Sequence, residues 1–138
     1  MEWMLMPLKR YADFSGRSRR MEYWMFILFQ VLLYVAIVIV GGLLLGLGDA
    51  ADSGLGFAGG TMTILLILVA LGLIVPNIAV QVRRFHDQDI TGWLVLLNLI
   101  PYLGGLIVLV MMFLEGTRGP NQYGPDPKAA ADGQPTTI

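Results

Sequence analysis

The densest polar cluster in the chain is Arg83-Arg84-Phe85-His86-Asp87-Gln88-Asp89-Ile90-Thr91-Gly92-Trp93. Two guanidiniums beside an imidazole form a donor set suited to a phosphate or a lipid headgroup, with Asp87 or Asp89 available to orient the ring of His86. The plainer reading makes the same stretch a short connector between helices. Its arginines then fix topology, an Asp or Thr caps the next helix, Gly92 allows a tight entry, and Trp93 anchors at the membrane border. Catalysis has the least support, because an Asp–His pair without a defined nucleophile performs no acyl or phosphoryl chemistry. With one His and no Cys, thiol redox chemistry and thiolate metal sites are excluded. Any transition-metal site would be mostly carboxylate and water, a poor zinc site. No cofactor is expected.

The elements that hold this cluster are apolar. Of the 138 residues 56% are hydrophobic and only 14% charged, against about 25% charged in a soluble domain. A soluble fold this small leaves about a third of its unfolded surface wet and could not hide so much apolar area. The composition therefore excludes a soluble enzyme and a disordered chain. Net charge is −1, so no global field points to nucleic acid. No charged residue lies between Glu22 and Asp49, between Asp52 and Arg83, or from Ile90 to Leu114. Each run exceeds the ~20 residues that cross ~30 Å of hydrocarbon. The fold class expected is an all-α integral membrane protein with three transmembrane helices, at 23–47, 61–82 and 93–114. The first run is too long for the apolar region of a cleaved signal and follows a basic segment. Pro101-Tyr102-Leu103-Gly104-Gly105 interrupts the third. If the chain folded back there, each half would be about 15 Å long, too short to cross, so one kinked helix is preferred.

Lys9, Arg10, Arg17, Arg19 and Arg20 precede the first span, and Arg83 and Arg84 follow the second, whereas the 48–60 loop has Asp49 and Asp52 and no cation. Positive residues inside place the N-terminus and the 83–92 loop in the cytoplasm, with the C-terminal tail outside. Residues 1–22 read as an interfacial arm, and Ser18 is the expected N-cap of the first span. Residues 115–127 are dense in turn formers and read as a fixed turn with Tyr123 as an anchor. Lys128–Ile138 reads as a disordered end. Gln30, Asn77, Gln81 and Asn98 are the polar side chains of the spans besides tyrosine and small hydroxyls, and such amides usually join helices. Gly42-x-x-x-Gly46 matches a close-approach dimer motif.

Three spaced motifs carry a resemblance. They are Phe14-Ser15-Gly16-Arg17-Ser18-Arg19-Arg20-Met21-Glu22-Tyr23-Trp24, then Arg83-Arg84-Phe85-His86-Asp87 with Gly92-Trp93 and Ile100-Pro101, and the tail from Gly116 to Pro127. Together they resemble the DUF805 proteins, a family of small bacterial inner-membrane proteins whose forms are G-R-x-x-R-x-E-[YF]-W, R-R-L-H-D-x-x-x-S-[GA]-W and G-x-x-G-x-N-x-[YF]-G-P-D-P. Phe85 stands for the usual Leu and Thr91 for the usual Ser. The resemblance implies a single membrane domain over 1–127 and a plasma-membrane address in a bacterium, but no reaction. It also groups Arg17, Arg20, Glu22, Arg83, Arg84, His86, Asp87 and Trp93 at one border. There they would bind lipid or a partner, or an Arg–Glu or Arg–Asp pair between the arm and the second loop would clamp the first two helices.

Three functions are compatible with these features. The first is a non-enzymatic interaction or scaffold protein whose basic cytoplasmic border contacts anionic lipid headgroups or a membrane partner, itself or another protein. The second is a subunit of an oligomeric pore or transporter lined by the span amides. The third is a lipid-headgroup enzyme using His86 and Asp87.

Overall fold

The computed structural model describes residues 2–47 and 54–129, without the side chains of 45–47 and 54–58. Among the described residues, four α-helices and one 3-10 segment follow in order: α1 (Glu2–Lys9), α2 (Arg20–Leu47), α3 (Gly54–Asp87), the 3-10 segment (Gly92–Leu99) and α4 (Leu103–Phe113). Two compact units divide the chain. One comprises Met1–Phe26 with Val75–Ile138, the other Ile27–Ile74.

Within the second unit, α2 and α3 carry apolar side chains that face outward. Leu44 is 68% exposed and Leu68 60%, values that exclude the buried core of a soluble protein and suit a lipid-facing surface. Over Arg20–Leu44 and Gly59–Asp87 both helices are long and apolar enough to cross a membrane. A Cβ at Gly41 would run into the side chain of Met62, whereas Gly42 has open space around it. The close approach therefore falls one residue before the expected motif and occurs inside the chain.

Both helices are longer than expected. The carbonyl of Arg19 accepts from the amide of Tyr23, which makes Arg19, not Ser18, the N-cap of α2. Residues 54–60 are helical rather than loop, while 48–53 lie outside the described residues. At its other end α3 runs past Val82 to Asp87, so Arg83, Arg84, His86 and Asp87 stand on the last turns of a helix and not in a connector. The stop comes from backbone geometry. Ile90 N–H donates to Phe85 O, Asp89 N–H donates to His86 O, and Asp89 takes φ 60°, the paired bonds and left-handed residue of a Schellman cap.

The third apolar stretch differs most from expectation. It is not one kinked helix across 93–114 but two short arms that pack against each other. A γ-turn joins them: Leu103 N–H donates to Pro101 O at 2.7 Å, and Tyr102 sits at φ 64°, ψ −58°, a strained conformation for a non-glycine residue. Gly104 lets α4 lie on the 3-10 segment, because a Cβ there would strike the Leu97 carbonyl. Gly92 lets the first arm enter beside α3, within reach of Val82 and His86. Asn98 Nδ2 donates to Gln81 Oε1 at 2.7 Å, so these two amides join the segment to α3 as expected of span amides. The second arm returns to where the first began: the Leu114 carbonyl accepts from Arg84, and Trp24 packs on Phe113 with ring centroids 4.5 Å apart. The tail therefore lies beside the N-terminal arm, not on the opposite side. From 130 onward the expected disordered end lies outside the described residues, but Lys128 N–H is bonded to Asp126 Oδ1 at 2.8 Å.

Candidate functional site: a buried arginine network

The arm reaches the network through a local turn. Arg10 Nε donates to Asp13 Oδ2 at 2.7 Å, and Ser15 donates its amide and hydroxyl to Asp13 Oδ1. The serine hydroxyl, then Arg10, hold the Asp13 carboxyl well below its ordinary range. Gly16, at φ 76°, turns the chain so that Ser18 N–H meets the Arg83 carbonyl at 3.1 Å.

Arg17 follows, and it is buried. Its Nε donates to Asp87 Oδ1 at 3.0 Å. Nη1 donates to the Gly119 carbonyl at 2.6 Å and Nη2 to the Thr117 carbonyl at 2.5 Å. A planar fork with five fixed donors suits this set, and an ammonium would not span it. The other carboxylate oxygen, Asp87 Oδ2, accepts from Arg84 Nη1 at 2.5 Å. One buried carboxylate thus serves two buried guanidiniums. A separate pair lies nearby, Arg83 Nη2 to Glu22 Oε1 at 2.9 Å, with both side chains almost wholly buried.

The tail completes the arrangement. The last carbonyls of a helix lack intrahelical partners, and here the tail supplies them. Thr117 N–H donates to Asp87 O at 2.7 Å, and Asn121 Nδ2 donates to His86 O at 2.9 Å. Gly116 is required by proximity, since a Cβ there would overlap the Asp87 carboxylate. Tyr123 stacks on His86 with centroids 3.9 Å apart and planes 5° from parallel. Asp126 Oδ2 accepts from Gly119 N–H at 3.0 Å. Burial would raise the Asp126 carboxyl, but the amides of Lys128 and Gly119 outweigh it, and its pKa lies below the ordinary value.

Of the eight grouped residues, Arg17, Arg84 and Asp87 form one network, and Glu22 of α2 and Arg83 of α3 form a second pair. Arg20 lies at the rim, bonded to Glu115 at 2.8 Å. His86 is not oriented by a carboxylate. Its Nδ1 lies 3.2 Å from the Gly16 carbonyl, which can only accept, so Nδ1 carries the proton. Trp93 is 77% exposed and outside both networks. Nothing local in the sequence assigns partners to Gly116, Thr117, Gly119 or Asn121, although their crowding with turn formers is a signal of a fixed turn.

The geometry defines a small helical membrane protein in which an arginine network ties the N-terminal arm and the C-terminal tail to the end of one long helix. The profile of "Protein of unknown function (DUF805)" matches residues 11–125. The chain belongs to the DUF805 family. It is 45% identical over 128 residues to the inner membrane protein YhaH of Escherichia coli (strain K12), covering 93% of this chain and 98% of that protein. It is 41% identical over 128 residues to the inner membrane protein YhaI of the same strain, covering 93% and 97%. No solved structure matches the chain.

Proposed function

We propose that this chain is a non-enzymatic interaction protein of the bacterial inner membrane, crossing it twice, whose arm, α3 end and tail form one rigid cytoplasmic platform for anionic lipid or a membrane partner. One observation carries the reading. The groups best suited to chemistry or anion capture, Arg17, Arg84 and Asp87, are buried and spent on one another and on tail carbonyls, while exposed cations remain around them at Arg20, Arg118 and Lys128. The orientation is supported by charge: all nine Lys and Arg residues belong to the unit that contains the arm and the tail, the pattern of a cytoplasmic face. The apolar 92–114 hairpin then enters and leaves from that face.

Native mass spectrometry of the protein taken from its own membrane in a lipid-preserving detergent tests the proposal. A monomer carrying anionic lipid or a second protein, unchanged by His86→Ala, is expected. A defined homo-oligomer whose assembly depends on the amides Asn77 and Asn98 would overturn it in favour of a pore.

A further inference from the structure

Beside the buried network lies an open cleft of about 500 Å³ lined by Arg19, Arg20, Met21, Trp24, Met25 and Lys128. Its composition is divided between three cations and an apolar wall of two methionines and a tryptophan at the start of α2. The cations are short of counter-charge. Glu115 is shared among Arg20, Lys128 and Arg118 at 2.8, 3.8 and 4.0 Å. Asp126 is already engaged by the amides of Gly119 and Lys128. Arg19 is held over the Trp3 ring at 5.4 Å and by the Pro127 carbonyl at 2.7 Å, and its Nη2 is buried without a hydrogen-bond partner among the described residues.

We propose that this cleft binds one anionic phospholipid, its phosphate among Arg19, Arg20 and Lys128 and an acyl chain along Met21, Trp24 and Met25. The inference rests on the proposed placement of this face at the membrane surface and deepens it by naming the lipid site. Basic pockets at the mouth of membrane helices suit phosphate headgroups, and Arg19 and Arg20 offer forked donors for phosphate oxygens. The apolar wall distinguishes a lipid from a free phosphate, which would gain nothing from methionine and tryptophan. Arg17, Arg83 and Arg84 take no part, because they are buried and already paired with Asp87 and Glu22.

The test uses the full chain in detergent, with phosphatidylglycerol or phosphatidylcholine added at equal amounts and adducts counted by native mass spectrometry. Wild type is expected to retain phosphatidylglycerol preferentially. Each of Arg20→Gln and Lys128→Gln should weaken retention about fivefold, and Arg19→Gln combined with both should abolish the preference. Arg118→Gln, a cation outside the cleft, should leave it intact. A melting profile without lipid verifies that each variant is folded, and the two exposed single variants decide the matter should the triple variant fail to fold. Glycerol phosphate, which has no acyl chain, is expected to bind at least about tenfold more weakly. Equal retention of both lipids, retention that survives loss of the cleft cations, or equal binding of glycerol phosphate would overturn the proposal. Loss of the lipid preference with a protein partner still bound would separate this site from the wider platform reading, which fails only if the partner is absent too.

Discussion

Asp87→Asn is the sharpest perturbation of the arginine network. The substitution keeps the shape of the side chain and removes one negative charge that two buried guanidiniums share at 3.0 and 2.5 Å. An amide can still accept from one arginine, but its NH2 then faces the other. Removing one partner of a buried ion pair costs about 3–5 kcal/mol. Arg17 and Arg84 retain their carbonyl contacts at Thr117, Gly119 and Leu114, which places the expected loss near the lower end, about 3 kcal/mol. That corresponds to a melting temperature lower by roughly 10 °C. The tail should feel it first. Hydrogen exchange at the Thr117 amide, bonded in the wild type to Asp87 O, should accelerate about 100-fold. Exchange at Leu65–Leu71 provides the baseline. Arg17→Lys keeps the charge but offers three donors from a single point, and it should lose most of the same protection. If Asp87→Asn changes exchange at Thr117 by less than about threefold and melting by less than about 2 °C, the network does not hold the tail and the reasoning fails.

Three further outcomes follow from the same geometry. Glu22→Arg or Arg83→Glu alone leaves like charges buried together and should lower folded yield sharply, whereas the double swap should recover part of it; no recovery, measured as expression in membranes, removes the clamp. Asp89→Gly relieves a left-handed residue at the α3 cap and should raise stability by about 0.5–1 kcal/mol, read as an upward melting shift. The Asp126 carboxyl has a folded pKa below its ordinary 3.8. Its contribution is therefore complete above that value and disappears as pH falls through the folded pKa. Acidification below the ordinary value of 3.8 should progressively loosen the Gly119 and Lys128 amides, and Asp126→Asn should flatten that dependence.

The sequence was informative about what each segment is and poor about what it touches. Charge-free runs mark α2 and α3 because no charged residue falls within 23–48 or 53–82. The three motifs delimit the arm, the α3 end and the tail. The pairings, however, join positions 70 and 102 apart in the chain, and no local periodicity encodes such a distance. Arg83, Arg84 and Asp87 carry the composition of a connector, yet they end α3. They are helical because Arg84 and Asp87 pair with each other one turn apart, while Glu22 and Arg17 neutralise Arg83 and Asp87 from distant parts of the chain. Ser18 gave way to Arg19 as the cap of α2, a change of one residue made when the Ser18 amide is drawn to Arg83.

The 92–114 stretch departs from its sequence pattern for a more instructive reason. Its length and hydropathy match a span, and Pro101-Tyr102 reads equally as a kink or a turn. The deciding feature, a tyrosine held at positive φ, has no sequence signal, because glycine is the residue that marks such a position. The lengths of the arms make the reversal work. An 8-residue 3-10 segment rises about 2.0 Å per residue and an 11-residue α-helix about 1.5 Å, so both reach about 16 Å, half the hydrocarbon thickness. Two arms of equal length bring the chain back to its point of entry, and only then can Thr117 and Asn121 cap α3 and Arg17 receive the tail carbonyls. The same reversal removes a conflict in the charge pattern. With a third crossing, Arg118 and Lys128 would be separated from the other cations; in the proposed two-crossing topology they join them, on the side where Arg17 and Arg84 bond the tail.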